Sequence, residues 1–127
     1  MQEKDLFEYA VLRVVPRVER EEFMNVGVVL FCAAQGFLQV RITLNEDRLK
    51  AFSADLDCGE VRKRLKAFEQ ICAGRKEGGT IGQFAIASRF RWLTSTRSTI
   101  LQISAVHPGL TANAAETLEH LHTQLVL

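Results

Sequence analysis

The most informative stretch of the chain is a charged loop that runs directly into an apolar segment: Arg20-Glu21-Glu22-Phe23-Met24-Asn25-Val26-Gly27-Val28-Val29-Leu30-Phe31. Residues 26–33 are apolar throughout, which predicts a central strand covered on both faces. Glu22 and Asn25 lie at the mouth of that strand, where an ordered backbone would hold polar side chains rigidly. We therefore expect Glu22 to contact a ligand or partner. For Asn25 we favour an Asx-type turn, in which it bonds its own backbone, over ligand contact, and we keep it as a candidate binding residue.

Further strands are predicted on both sides of this segment. Residues 6–15 form the first strand, and residues 37–44 alternate cleanly between apolar and polar side chains. The short turn at 34–36 favours an antiparallel meander, because parallel pairing needs a longer crossover. A fourth strand is predicted over residues 97–105, ended by the His-Pro-Gly sequence at 107–109.

Helices are predicted from capping residues and from apolar side chains at helical spacing. Asn45 caps a short helix, Asp57 begins a longer one, a weaker helix lies within 81–93, and Asn113 begins a closing helix. The fold class is therefore α+β: an antiparallel meander of three strands plus a fourth strand, with helices packed mainly on one face. The length of the chain, without repeats or low-complexity segments, predicts a single domain over residues 1–127.

Composition excludes several classes of function. Sixteen basic and fifteen acidic residues nearly cancel, so the whole molecule has no field that would draw it onto nucleic acid or anionic lipid. Three cysteines without close pairing predict free thiols in a reducing compartment. There is no apolar run long enough for a membrane span and no secretion signal, so we expect a cytoplasmic protein.

Motifs for nucleotide binding, nucleophilic catalysis or zinc are missing from the sequence. The glycine-rich sequence at 78–82 follows no strand and precedes no lysine, which favours a linker over a phosphate loop. His120 and His122 are two residues apart on the closing helix, so they point to different sides and are expected at the surface. We expect no metal site and no cofactor.

A second polar cluster begins with Arg89-Phe90-Arg91-Trp92-Leu93 and continues to Arg97 and Ser98. Arginines mixed with a tryptophan and hydroxyls can bind phosphate, stack a base or grip an acidic segment of a partner. The alternative is that the apolar members pack into the core while the arginines stay in solvent. Secondary structure decides between these interpretations, since residues two apart share a strand face but not a helix face.

Five stretches of the sequence together form a family pattern: Tyr9-Ala10-Val11-Leu12-Arg13-Val14-Val15-Pro16, Glu22-Phe23-Met24-Asn25-Val26-Gly27-Val28-Val29-Leu30, Arg89-Phe90-Arg91-Trp92-Leu93, Arg97-Ser98-Thr99 and Val106-His107-Pro108-Gly109-Leu110-Thr111. With these stretches the chain resembles the bacterial family named domain of unknown function 3037. The resemblance implies a small standalone protein without assigned chemistry. Some members are encoded beside kinases of the HipA type, which implies a protein partner.

We expect an accessory or interaction protein rather than an enzyme. Its polar surface would be built where the loop from Glu22 to Asn25 meets the segment 89–98. The alternative is a nucleotide- or nucleic-acid-binding module, in which the arginines meet phosphate and Trp92 stacks on a base. A third hypothesis is an enzyme with Glu22 and His107 as acid and base. The candidate binding residues are Glu22, Asn25, Arg89, Arg91, Trp92, Arg97, Ser98 and His107.

Overall fold

The computed structural model describes residues 3–95 and 99–127. Its strands are β1 (Asp5–Val14), β2 (Met24–Cys32), β3 (Phe37–Ile42), β4 (Leu101–Ile103) and β5 (His107–Thr111). They form one antiparallel sheet of five strands in the order β3-β2-β1-β4, with β5 also paired to β1. The α+β class and the three-stranded meander are therefore confirmed.

The strand β5 corrects one prediction, because the His-Pro-Gly sequence begins a strand instead of only ending one. β5 pairs with residues 5–9 of β1, and β4 pairs with residues 12–14. The two short strands thus share, one after the other, the edge of β1 that β2 leaves open. Pro108 lacks an N–H and is tolerated on such an edge strand. Gly109 is required by close packing, since an added Cβ would lie 2.5 Å from the Phe7 ring.

Among the described residues, three of the five helices begin where the capping residues predict. They are α1 (Glu46–Phe52), α2 (Cys58–Cys72), α3 (Gly79–Gly82), α4 (Ile86–Leu93) and α5 (Ala114–Leu125). The side chains of Asn45, Asp57 and Asn113 each accept a hydrogen bond from the backbone N–H three residues later. These contacts satisfy donors that the first helical turn leaves without an intrahelical partner.

Two apolar cores lie on opposite faces of the sheet. On the first face, Leu12 of β1 packs with Leu65 of α2 and Phe90 of α4. On the second face, Leu30 of β2 packs with Leu118 of α5. Residues of α1, α2 and α4 contribute to the first core, whereas α5 covers the opposite face of the sheet. As expected of a central strand, β2 is buried along its whole length except at Asn25.

Candidate functional site

Glu22, the first candidate residue, lies in the loop before β2. Its exposed carboxylate forms an ion pair with Arg20 in the same loop. The side chain borders an open cleft of about 430 Å³, together with Phe52 at the end of α1 and Ile100 before β4. The ion pair with Arg20 satisfies Glu22 locally and connects it to no other candidate residue.

Asn25 anchors the end of α5 to the sheet. Its side-chain Nδ2 donates to the backbone oxygen of Leu125 at 3.1 Å, and Arg48 donates to the oxygen of Val126 at 3.5 Å. The last carbonyls of a helix have no intrahelical donor, so such side chains satisfy them. The bond to a residue 100 positions away corrects the expectation that Asn25 bonds its own backbone, and it gives Asn25 a structural role.

The arginines of α4 are also engaged within the molecule. Arg91 forms a bidentate ion pair with Glu8 of β1, with N···O distances of 2.9 and 2.6 Å. These hydrogen bonds, strengthened by the opposite charge of the carboxylate, raise the pKa of Arg91 above its ordinary value. Arg89 donates to the backbone oxygen of Phe84 at 2.9 Å. Both guanidinium groups are therefore engaged by groups of the protein itself.

The apolar members of the second cluster behave partly as core residues. Phe90 and Leu93 are fully buried, while Trp92 is 38% exposed and borders a recess of about 160 Å³ beside Phe68 of α2. This division follows from helical geometry, which turns residues two apart to different sides. The predicted positions Arg97 and Ser98 lie outside the described residues.

His107 lies on β5, where its ring contacts that of Tyr9 with centroids 5.3 Å apart. It does not meet Glu22. Along β1, Tyr9 is opposite His107 and Val14 is opposite Met24, so about five residues, or roughly 17 Å of strand, separate the two candidates. The acid–base pairing of Glu22 with His107 is therefore not supported by the structure.

The candidate residues that the structure describes do not form one shared surface. Asn25 contacts α5 on the second face of the sheet, whereas Arg91 belongs to α4, which packs on the first face. Asn25 and Arg91 are therefore on different faces of the sheet, and the meeting of the Glu22–Asn25 loop with the rest of the cluster stays a prediction. What sequence reasoning treated as a recognition surface consists largely of internal anchors between elements.

A different surface emerges at the free edge of β3. Within residues 3–95 and 99–127, β3 pairs with β2 alone. The N–H of Thr43 donates to the backbone oxygen of Val26 at 2.9 Å. This hydrogen bond shows that the odd-numbered residues of β3 direct their backbone groups toward β2. Because backbone groups alternate in direction along an antiparallel strand, the N–H and C=O groups of Leu38, Val40 and Ile42 point away from β2. They present a row of donors and acceptors for another strand.

This edge forms the floor of a groove of about 550 Å³, which we call the β3 groove. One wall is the C-terminal end of α2, with Glu69, Cys72 and Ala73, and Arg75 follows it. The other wall includes His122 of α5. The groove therefore has the two properties that a strand-accepting site requires, a backbone edge and flanking side chains.

The α5 wall is fixed to β3 by two polar contacts. Thr43 Oγ1 lies 2.9 Å from His122 Nε2, and Arg41 forms an ion pair with Glu119 at 2.5 Å. His122 is only 7% exposed, which corrects its predicted surface position. The sequence did carry a signal for this burial, since His122 follows Leu118 by four residues and shares its helix face.

The one cysteine that lines the groove, Cys72, is not an activated thiol. Burial raises the pKa of the Cys72 thiol to about 12, although the charge of Arg89 acts in the opposite direction. A thiol of that pKa stays protonated near neutral pH, and only the thiolate is an effective nucleophile or metal ligand. Across the described parts of the chain, no group of three or more His, Cys, Asp or Glu side chains could hold a metal ion.

Comparison with known proteins identifies a family but no activity. No helix among the described residues is both long and apolar enough to cross a bilayer. Searches of curated proteins and of solved structures give no match. One family model, described as protein of unknown function (DUF3037), matches residues 9–126 and therefore nearly the whole chain, including β3 and α5. The protein belongs to the DUF3037 family.

Proposed function

We propose that the protein is an accessory protein that binds a protein partner by accepting an extended segment of that partner along β3. The observation that carries the proposal is the free backbone edge of β3 at the floor of the β3 groove, between α2 and α5. In such β-strand addition, main-chain hydrogen bonds supply affinity and the flanking side chains supply specificity.

The geometry of β3 favours strand addition. Its register with β2 continues without a shift from Phe37 to Ile42, and the strand contains no proline. Proteins usually protect exposed edges with bulges, prolines or inward-pointing charges. β3 has no bulge or proline, and its one charged residue, Arg41, is turned toward Glu119 on α5. The edge of β3 between α2 and α5 therefore lacks the bulge and the proline that usually prevent another strand from pairing with an exposed edge.

The proposed partner class agrees with the family resemblance, in which some members are encoded beside kinases of the HipA type. Such a kinase is the first candidate to test. The proposal moves the interaction surface away from the Glu22–Asn25 loop and the arginine cluster. The nucleic-acid alternative gains no support from the described arginines of that cluster, because Arg89 and Arg91 already bind groups of the protein itself.

Photo-crosslinking in the cells that make the protein tests this function. A photoreactive amino acid at Arg75, on the groove, should capture another polypeptide, and the same probe at Lys66, exposed on α2 outside the groove, should not. The substitution Val40→Pro should abolish capture because it removes an outward N–H while leaving the ladder to β2 intact. Circular dichroism of Val40→Pro should show a folded protein.

Equal capture from both probe positions would contradict the proposal. So would capture that persists unchanged in a folded Val40→Pro variant, since the main-chain edge would then be irrelevant to binding. Mass spectrometry of the captured polypeptide identifies the partner and determines whether a HipA-type kinase is involved.

A further inference from the structure

We infer that the β3 groove selects an extended segment in which small apolar side chains alternate with acidic ones. This inference rests on the proposed function and specifies the chemistry of the partner segment. A strand added to β3 would have one face toward α2 and the other toward α5. The inference follows from the difference between these two surroundings.

The alternation follows from strand geometry. Successive side chains of a strand point to opposite faces, so an added strand sends every second side chain toward α2 and the others toward α5. On the α2 side it would lie beside Leu38, Val40 and Ile42, which belong to the first core or pack against it. On the α5 side it would lie beside Gln39 and Arg41. The two faces therefore demand opposite polarity.

The α2 side favours small apolar groups. Cys72 is buried and protonated there, and Ala73 follows it at the end of the helix. A thiol that stays neutral offers no ionic partner. A polar group buried beside it would lose its hydrogen bonds to water and gain no equivalent hydrogen bonds from the protein. Because α2 extends beside the groove, large side chains would meet the helix.

The α5 side favours carboxylates. Arg41 binds Glu119 through Nη2 and remains 51% exposed, so its guanidinium has room for a second acceptor among its five N–H groups. Arg75 also lines the groove, but it follows α2 and therefore belongs to the opposite wall. Glu69 is the one carboxylate that lines the groove within the described residues, and it belongs to the α2 wall. A lysine opposite Arg41 would meet a like charge, which is unfavourable between adjacent strands.

The same walls favour a single segment over a second copy of this chain. If two copies paired through β3, the α2 and α5 helices of each copy would lie beside the β3 strand of the other copy. That strand is already flanked by its own α2 and α5, so the helices of the two copies would compete for the same space. An isolated extended segment carries no such helices. The occupant we infer is therefore a strand-like segment of a different protein.

Three synthetic six-residue peptides with blocked ends test this inference. One alternates valine and glutamate, one has three valines followed by three glutamates, and one alternates valine and lysine. Binding is measured by nuclear magnetic resonance of the isotope-labelled protein, from the amide shifts of Leu38, Val40 and Ile42. We expect the alternating acidic peptide to bind at least tenfold more tightly than the block peptide. Each lysine replacement should weaken binding by about two- to fivefold.

A charge-reversal variant provides the matched control. Arg41→Glu should reverse the preference between the acidic and basic alternating peptides, whereas Lys66→Glu should leave the preference unchanged. Equal binding of all three peptides would overturn the inferred alternation while strand addition itself would stand.

Other outcomes separate this inference from the proposed function. Capture through Arg75 without binding of the acidic peptide would overturn only the inferred chemistry of the segment. Loss of both capture and peptide binding would overturn the proposed function as well. Amide shifts in β3 that depend on protein concentration alone would identify a second copy as the occupant and would overturn the inference.

Discussion

Thr43 and His122 connect β3 to α5 through side chains that lie 79 residues apart in the sequence, with 2.9 Å between Oγ1 and Nε2. Thr43 follows the last residue of β3, and His122 is buried in the final turn of α5. The contact holds the α5 wall of the β3 groove against the strand. The width of the groove therefore depends on a pair of residues at its end.

Thr43→Val should destabilise the protein by about 1–2 kcal/mol, because the shape is kept while the buried imidazole loses its hydrogen-bond partner. The free energy of unfolding, obtained from urea titration, measures the effect. Thr123→Val is the matched control, since the Thr123 hydroxyl bonds the exposed backbone oxygen of Glu119. We expect that control to change stability by less than about 0.5 kcal/mol. Equal losses in the two variants would show that the imidazole contact contributes nothing particular.

Asn25→Ala should loosen the end of α5 more than any other element. The substitution leaves the backbone oxygen of Leu125 without its donor, at an expected cost of about 1–3 kcal/mol. Hydrogen exchange should accelerate in residues 118–127 and stay unchanged within α2, which packs on the opposite face of the sheet. Acceleration spread evenly over both helices would argue against a local anchoring role for Asn25.

The raised pKa of Cys72 predicts that the free energy of unfolding falls as the pH becomes alkaline. Its pKa is raised in the folded state from the ordinary value of 9.0 to about 12. Between these values the unfolded chain releases the proton and the folded chain retains it, so the stabilising contribution is complete below pH 9.0 and is lost as pH rises toward 12. The slope that Cys72 contributes is about 1.4 kcal/mol per pH unit at most.

The difference in unfolding free energy between the wild type and Cys72→Ala isolates this term from the other groups that titrate at alkaline pH. We expect that difference to shrink as pH is raised from 9 to 11. A thiol reagent should also label Cys72 only after unfolding, because the side chain is 2% exposed. Rapid labelling of the native protein would contradict both the burial and the raised pKa.

Arg91→Gln should have a small effect on stability. The ion pair with Glu8 is bidentate, but the Arg91 side chain is 58% exposed, and exposed pairs contribute about 0.2–1 kcal/mol. The loss should diminish as salt is raised, since solvent ions screen the pair. Thermal unfolding of Arg91→Gln at low and at high salt measures this loss of stability. Glu8→Gln, which removes the other charge of the pair, should give the same result. Losses that do not depend on salt would indicate that packing of the side chain, rather than charge, is responsible.

Local features of the fold were predictable because local chemistry determines them. Asn45, Asp57 and Asn113 each satisfy a donor three residues ahead, and the run 26–33 is apolar enough to require cover on both faces. These signals lie within a few residues of the structure they specify. The prediction of a meander followed from short connections in the same way.

Distant pairings were not predictable from such signals. Pro108 and Gly109 have a low propensity for strands. They form part of β5 because this segment pairs with the outer edge of β1. The same holds for Asn25, whose partner Leu125 is 100 residues away, and for Arg91, whose partner Glu8 is 83 residues away. Each of these polar residues resembled a binding residue because its internal partner was invisible in the sequence.

The free edge of β3 could have been anticipated from topology. In a meander of three strands the first and third are the outer strands, and later strands here join the first. That leaves β3 at the border of the sheet without any further pairing in the described chain. The flanking walls, however, come from α2 and α5, whose placement beside the same edge depends on tertiary packing.

The position of α5 also has a consequence for synthesis. β1, β2 and β3 are translated early, but the helix that covers Val28, Leu30 and Cys32 comes after residue 113. A nascent chain that has formed the β1–β3 meander therefore carries an uncovered apolar layer until residues 114–125 have been synthesised. Molecular chaperones that bind emerging polypeptides would meet that layer before the native helix does.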